Sequence, residues 1–309
     1  MISRRQLIKT AGAVSLAAFM PGIALGKTSD KKQDTFRYCL NTSTIKGQKP
    51  GLIKSIEIAS KAGYDAIELW VSEIKDYLKE GHSIAELKKI IDRNGLTVEN
   101  AIGFGTWLVD DDQKRKEGFA QMKEEMLLVS KLGCKRIAAP PTGVKANSSL
   151  DLFVAAERFK QLIELGRETG VLPQLEFWGG SGTLFQLGQS LMIALNTNDP
   201  DAHILADIYH LFRGNSGFEG LKMLRGNLIE IFHMNDYITS ISREKQNDQD
   251  RVYPGDGAAP TIQILTDLKG MGGTKVLSLE LFNPKYWKED PLSVAITGLA
   301  KMKNLVSQI

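Results

Sequence analysis

The 309-residue chain is poor in the residues that announce many common functions: it has two cysteines, four histidines and a net charge of only +3. Cys39 and Cys134 have neither metal-ligand spacing nor the density of a disulfide framework, so they read as small buried hydrophobes. A charge of +3 spread over this length leaves no basic stripe, which removes the electrostatic footprint of a nucleic-acid binder. The segment after the first predicted strand, Ser43 to Gly51, lacks the G-x-G-x-x-G pattern of a dinucleotide-binding sheet. After Thr35 there is no internal linker, repeat or low-complexity tract. The apolar run from Ala11 to Leu25 contains glycine, proline and many alanines, and it suits a signal h-region better than a membrane span. It follows Ser3-Arg4-Arg5-Gln6-Leu7-Ile8-Lys9, a twin-arginine pattern, and Ala24-Leu25-Gly26 offers small residues for cleavage before Lys27. The expectation is a twin-arginine signal peptide over 1–26, a polar linker over 27–35 and one folded domain over 36–309. The chain would then meet the twin-arginine export machinery and work in the periplasm or otherwise outside the cytoplasm.

What is present is an alternation of β-rich runs and helical patterns, eight times over. The strands are predicted at Phe36–Thr42, Ala66–Val71, Thr97–Ile102, Arg136–Ala139, Leu172–Trp178, Ile204–Ile208, Leu228–Met234 and Lys275–Phe282. Helical spacing of apolar residues is clear at 52–62, 84–93, 152–168 and 262–268. Gly63, Gly95, Gly133 and Gly170 stand where helices need a left-handed cap, each shortly before the next strand. Alternating strands and helices imply parallel pairing with right-handed crossovers, and eight such units close into a (β/α)8 TIM barrel of one domain.

In such a barrel the site lies at the C-terminal ends of the strands. Strands five to eight each end in an apolar run that embeds one ionisable residue: Glu176, Asp207, His233 and Glu280. A carboxylate at a strand end, taken alone, is ordinarily a cap or an ion-pair partner. Three carboxylates and a histidine at equivalent positions on successive strands are different, because buried unpaired carboxylates are costly and neighbouring ones repel. One divalent cation shared by the four removes both costs. The oxygen-rich set with a single imidazole favours Mn²⁺, Mg²⁺ or Co²⁺ over Zn²⁺. Trp178 can stack on the apolar face of a sugar. Glu68 and Trp70 on strand two, Glu99 and Asn100 on strand three, and Trp107 after it are further candidates for the cleft. Glu68 and Glu99 can equally be paired within the lower barrel layers.

The Glu176–Asp207–His233–Glu280 series, the step Asp207-Ile208-Tyr209-His210 and the loop Arg251-Val252-Tyr253-Pro254-Gly255-Asp256-Gly257 together resemble the xylose-isomerase-like barrel superfamily, the sugar phosphate isomerase/epimerase group. The loop is similar to that group's Arg-x-x-Pro-Gly-x-Gly. The resemblance extends from about Phe36 to the C-terminus. It implies that Glu176 and Glu280 are metal ligands that double as acid/base groups, that Asp207 and His233 are ligands only, and that His210 and Arg251 hold substrate oxygens. The endonuclease IV type needs more histidines for three metals, whereas His82 and His203 fall at a loop and a strand start. No dedicated phosphate cradle is apparent, although the helix after Gly257 could take an anion, so an unphosphorylated sugar or keto-sugar is expected.

The chemistry implied is α-proton abstraction next to a carbonyl through an enediolate, one glutamate removing the proton and the other returning it. The same enediolate could instead expel a hydroxyl or a glycosyl oxygen, which would make the enzyme a lyase or dehydratase on a keto-sugar or 3-keto-glycoside. A sugar-binding barrel without turnover is the alternative outside enzymology, and a homo-oligomer is compatible with either.

Overall fold

In a computed structural model the described residues are 35–309, and the expected signal peptide and all of the expected linker but Thr35 lie outside them. Eight strands alternate with helices: β1 (Phe36–Asn41), β2 (Ala66–Trp70), β3 (Thr97–Ile102), β4 (Arg136–Ala139), β5 (Leu172–Glu176), β6 (His203–Asp207), β7 (Ile231–Met234) and β8 (Lys275–Leu279). The helices are α1 (Leu52–Ala62), α2 (Val71–Lys79), α3 (Ile84–Arg93), α4 (Asp112–Ser130), α5 (Leu152–Thr169), α6 (Leu187–Asn196), α7 (Ile208–Arg213), α8 (Thr261–Met271) and α9 (Pro291–Val306). All recorded strand pairs are parallel, and hydrogen bonding runs β3-β2-β1-β8-β7-β6-β5-β4. The ends of that order, β3 and β4, lie side by side. Arg136 on β4 bridges this seam to Glu99 on β3 at 3.2 Å. The result is the expected TIM barrel, a parallel sheet closed on itself and covered by its own crossover helices.

The pleat decides which residues look inward. Side chains two apart share a face, so Ala66, Glu68 and Trp70 stand in one column on β2. Leu205 and Asp207 form another on β6, Ile231 and His233 on β7, and Val276 and Ser278 on β8, with Glu280 continuing that column. The lower members, Cys39, Ala66, Ala138, Leu205, Ile231 and Val276, are buried against one another as an apolar plug. The upper members Glu68, Asp207, His233, Ser278 and Glu280 are polar and buried above it, while Trp70 at the rim is partly buried. The outward residues pack on the helices in a second, larger core that includes Ile67, Leu69, Phe159, Phe232 and Leu279. Both cysteines are free and buried, and burial pushes the Cys134 thiol up to about 12.

Five strands, β1, β2, β5, β6 and β8, end sooner than expected, and for the last three the local reason is plain. The chain leaves β6 at Asp207 because that side chain accepts the His210 amide at 2.9 Å and N-caps α7, which starts at once. The strand predicted to run to Ile208 therefore stops one residue earlier, and His210 sits on the first turns of a helix. After β5 the Trp178 amide turns to Leu184 O. After β8 the Leu281 amide is taken by Thr44 Oγ1 at 3.1 Å. Gly63 and Gly170 cap α1 and α5 at φ of 90° and 73°, where a side chain would be strained.

Candidate functional site

The upper polar layer is a dense cluster at the C-terminal mouth of the barrel. Asp207, His233 and Glu280 bring one ligand atom each to within 4.8 Å of one another, all buried. Glu176 is not a member of that triad, although it lines the same cleft as Glu280. The expected four-residue ligand set therefore appears as three converging residues with the fourth carboxyl facing them.

His233 shows why the triad suits a cation. Its Nε2 meets Glu68 Oε1 at 3.0 Å, which fixes the ring. Its Nδ1 points at the carboxylates, 3.2 Å from Glu280 Oε2 and 3.8 Å from Asp207 Oδ2, yet this buried nitrogen makes no hydrogen bond. An orphaned imidazole nitrogen aimed between two carboxylates is a ligand set for a divalent metal. Burial lowers the basicity of the His233 imidazole, but Glu280 and Glu68 more than offset that and raise it well above its usual range, so the position a proton would take between these carboxylates is one a divalent cation could fill. Imidazole with carboxylate oxygens is compatible with zinc as well as with the harder cations.

Glu68 lies beneath the triad and does not line the cleft. It is fully buried and accepts from Asn41 Nδ2 (2.8 Å), Asn100 Nδ2 (2.7 Å) and Ser278 Oγ (2.6 Å) besides facing His233. Burial raises its carboxyl, but His233 and these donors more than offset that and hold it below the usual range. In place of the expected position in the cleft, Glu68 holds the His233 ring from below. Glu99 takes the lower-layer alternative, paired with Arg136 and Arg37. Trp107 is wholly buried, its indole donating to Pro140 O.

Arg251 enters the cluster from the loop between β7 and α8. Its Nη1 donates to Asp207 Oδ2 and to Glu280 Oε2, both at 2.8 Å, and its Nε donates to Asp248 Oδ1 at 3.0 Å. The guanidinium lies 4.7 Å from the Tyr209 ring and 5.2 Å from Phe282. Asp207 is pushed up by burial but is brought down to about 2 by Arg251, His210 and His233. His210 faces Arg251 Nη2 at 3.3 Å through Nε2, and burial lowers its basicity. The remaining sequence histidines stand elsewhere: His82 stacks on Tyr77, and His203 bonds Asn227 O at the opposite end of β6.

Glu176 differs from its neighbours because no cation pairs with it. Burial first, and the charges of Glu280 and Asp207 next, raise its carboxyl to about 8, against relief from His233 and from the nearby Trp178 side chain. It therefore holds a proton at neutrality while Asp207, fixed by Arg251, does not. Two carboxyls separated in this way are the arrangement that acid/base chemistry uses.

Several residues that shape the site carry no motif. Asn235 donates to Asp207 Oδ2 at 3.0 Å and accepts the Tyr209 amide at 2.9 Å. Asn41 joins Glu68 to Glu280. Asp236 accepts the amides of Tyr237 (2.8 Å), Gly255 (3.0 Å) and Ala259 (2.9 Å), which folds the Pro-Gly-x-Gly loop around one carboxylate. A Cβ on Gly257 would collide with Tyr237 O and Asp236 Oδ1, so glycine is required there. Asp236 also pairs with Val252 through two backbone bonds, and these aim the neighbouring Arg251 inward. Asn235 was legible from period two, since it follows His233 by two residues; Asp236 was not.

Comparison with known proteins agrees with this geometry. The family described as "Xylose isomerase-like TIM barrel" matches residues 56–305, and the chain belongs to it. Among curated relatives, the inosose isomerase of Bacillus velezensis is 29% identical over 258 residues, covering 82% of this chain and 90% of the relative. That of Bacillus subtilis is 28% identical over 264 residues, covering 82% and 91%. Among solved structures, the IOLI protein with a bound zinc atom superposes with a TM-score of 0.82 at 26% identity, covering 88% of this chain and 98% of that one. An L-ribulose 3-epimerase shares the fold with a TM-score of 0.70 at 16% identity, covering 88% and 95%.

Proposed function

We propose that the protein is a divalent-metal-dependent isomerase or epimerase of an unphosphorylated sugar or keto-sugar, working by proton transfer at the carbon beside a carbonyl. The observation that carries this is the convergence of a cation-ready triad, Asp207–His233–Glu280, with the buried carboxyl of Glu176 in one cleft. The inosose isomerase relatives belong to the same activity class. A divalent cation held by the triad would supply Lewis-acid polarisation of the substrate carbonyl. Glu176 and Glu280 come from β5 and from the end of β8, so they can face a substrate from different sides. Glu176 exchanges a proton with the α-carbon. Glu280, held by Asn41 Nδ2 at 3.1 Å and by Arg251, is the second carboxylate of the pair. Arg251 and His210 meet the substrate oxygens that reach past the triad.

The test is incubation of the metal-loaded protein with keto-sugars in D₂O. Deuterium at the α-carbon without loss of water or alcohol is the expected result. Release of water or an alcohol would make the enzyme a lyase, and the absence of exchange across the panel would leave only a binding barrel. Glu176→Gln should slow exchange by about 10²–10⁴-fold, the usual contribution of a general acid/base.

Export by the twin-arginine route belongs to the same proposal and rests on Arg4-Arg5 and the apolar run after them. Changing Arg4→Lys together with Arg5→Lys should retain the protein in the cytoplasm on cell fractionation.

A further inference from the structure

The five N–H groups of Arg251 divide between two sets of partners. On the inner side Nη1 donates to Asp207 Oδ2 and Glu280 Oε2, both at 2.8 Å, and these carboxylates are buried. On the outer side Nε and Nη2 close on a single oxygen, Asp248 Oδ1, at 3.0 and 2.5 Å. His210 Nε2 stands 3.3 Å from the same Nη2. Asp248 lines the cleft together with His210, Arg251, Glu176 and Glu280, and 55% of its side-chain surface is open. The outer edge of the guanidinium is therefore already shared with a carboxylate of the chain itself.

The Asp248 side chain is not what holds its own turn. In the turn Asp248–Asp250, Asn247 Oδ1 accepts the Gln249 amide at 3.0 Å and Asp250 Oδ2 accepts the Asn247 amide at 2.9 Å. Arg213, the other guanidinium of the cleft, has Nε and Nη2 engaged by Gln246 O at 3.1 Å and Glu244 O at 3.0 Å. Beside a guanidinium, Asp248 is ionised at neutral pH. A ligand oxygen that joins Arg251 and His210 lies within reach of that charge. A hydroxyl suits the place, because it accepts from the guanidinium and donates to Asp248. A phosphate or carboxylate offers acceptors only and meets a like charge.

We propose that Asp248 is a specificity-determining residue: it sets the Arg251–His210 edge of the cleft to accept a neutral hydroxyl beside the substrate carbonyl and to reject a phosphate or carboxylate there. The place beside the carbonyl follows from the inner side of the same guanidinium, which is bonded to two members of the triad. Rejection by a repulsive group built into a site is one of the two ways a protein tells a ligand from its close relatives. The inference rests on the proposed function for the sugar and its carbonyl. It adds a residue that makes the cleft refuse anionic sugars.

The test is calorimetric binding to the metal-loaded full-length protein and to its Asp248→Asn and Asp248→Ala variants. The probes are D-fructose, D-fructose 1-phosphate and 2-keto-D-gluconate, which place a hydroxyl, a phosphate and a carboxylate beside the carbonyl. Wild type is expected to bind D-fructose at least about tenfold more tightly than either anion. Asp248→Asn keeps the shape without the charge and should narrow that gap by roughly tenfold, the scale of one hydrogen bond to a charged group. Asp248→Ala should narrow it at least as far. The turn is capped without Asp248, so circular dichroism spectra should match wild type. A gain for one anion alone supports the proposal for that anion and overturns it for the other. Equal binding of the three probes by wild type, a gap that survives both substitutions, or binding of none of them overturns it. Both variants losing affinity for every probe in the same proportion would make Asp248 a support for Arg251 and overturn it as well. The readout is a ratio of affinities without turnover, so failure here is distinct from failure of deuterium exchange with neutral keto-sugars.

Discussion

Glu68 separates two functions that look identical in sequence. It sits at a strand end within a barrel, as Glu176 does, but it faces a histidine and three neutral donors, all of which favour its ionised form. Its carboxylate locks the His233 ring with Nδ1 toward Asp207 and Glu280. Partners of this kind behind a ligand histidine typically change metal affinity by about 10–100-fold. Glu68→Gln should therefore weaken zinc or manganese binding by about that factor in a competition titration, with Glu68→Asp recovering part of it. Unchanged affinity would show that the triad orients itself. Four ionisable residues at the ends of strands five to eight were visible in the sequence because an ionic residue in an apolar run needs a reason. Their division into a triad and a separate proton-holding carboxyl was not visible. That division depends on where Arg251 puts its charge, and Arg251 comes from a loop.

Among the elements, the loop between β7 and α8 does the most to complete the site, and Asp236 is its hub. Three backbone amides converge on one buried carboxylate. Asp236→Ala would leave those donors without partners, at a cost of about 1–3 kcal/mol for each that water cannot reach. The expected outcome is a lower urea midpoint together with weaker substrate binding, because Arg251 follows the loop. A loss of stability with binding intact would show that Arg251 is held by its carboxylate partners alone. Helices were legible where periodicity was strong, and α1 and α3 begin and end where their spacing and capping residues place them. The short helix α7 has six residues, too few to show a period in the sequence. Its start is set by the Asp207 carboxylate accepting an amide.

At the scale of the whole molecule, the buried carboxyls tie stability to pH. In chelator-treated protein Glu176 keeps its proton up to about pH 8, whereas its ordinary value is 4.5. Between those limits the native state holds a proton that the unfolded chain has released. This stabilising contribution is complete below pH 4.5 and is lost as pH rises through about 8. Glu176→Gln stays neutral throughout, so the chelated variant should melt above chelated wild type at pH 9 and converge with it near pH 4. Each kcal/mol recovered should appear as roughly 2–4 °C. Parallel melting curves across this range would show that Glu176 ionises freely in the native state.

The linear chain by itself determined the number and order of strands, the barrel they make, and the alternation that turns Glu176, Asp207, His233 and Glu280 toward one mouth. These follow from local periodicity and from parallel pairing, which need no knowledge of distant contacts. Tertiary structure alone decided that Glu68 holds the His233 ring from below, that Arg251 reaches two carboxylates, and that Trp70, Phe104, Trp178 and Phe282 line one cleft. Each of those outcomes depends on residues tens to hundreds of positions apart meeting at distances of a few ångströms. Coulomb forces and desolvation act through space, and sequence spacing carries no record of them.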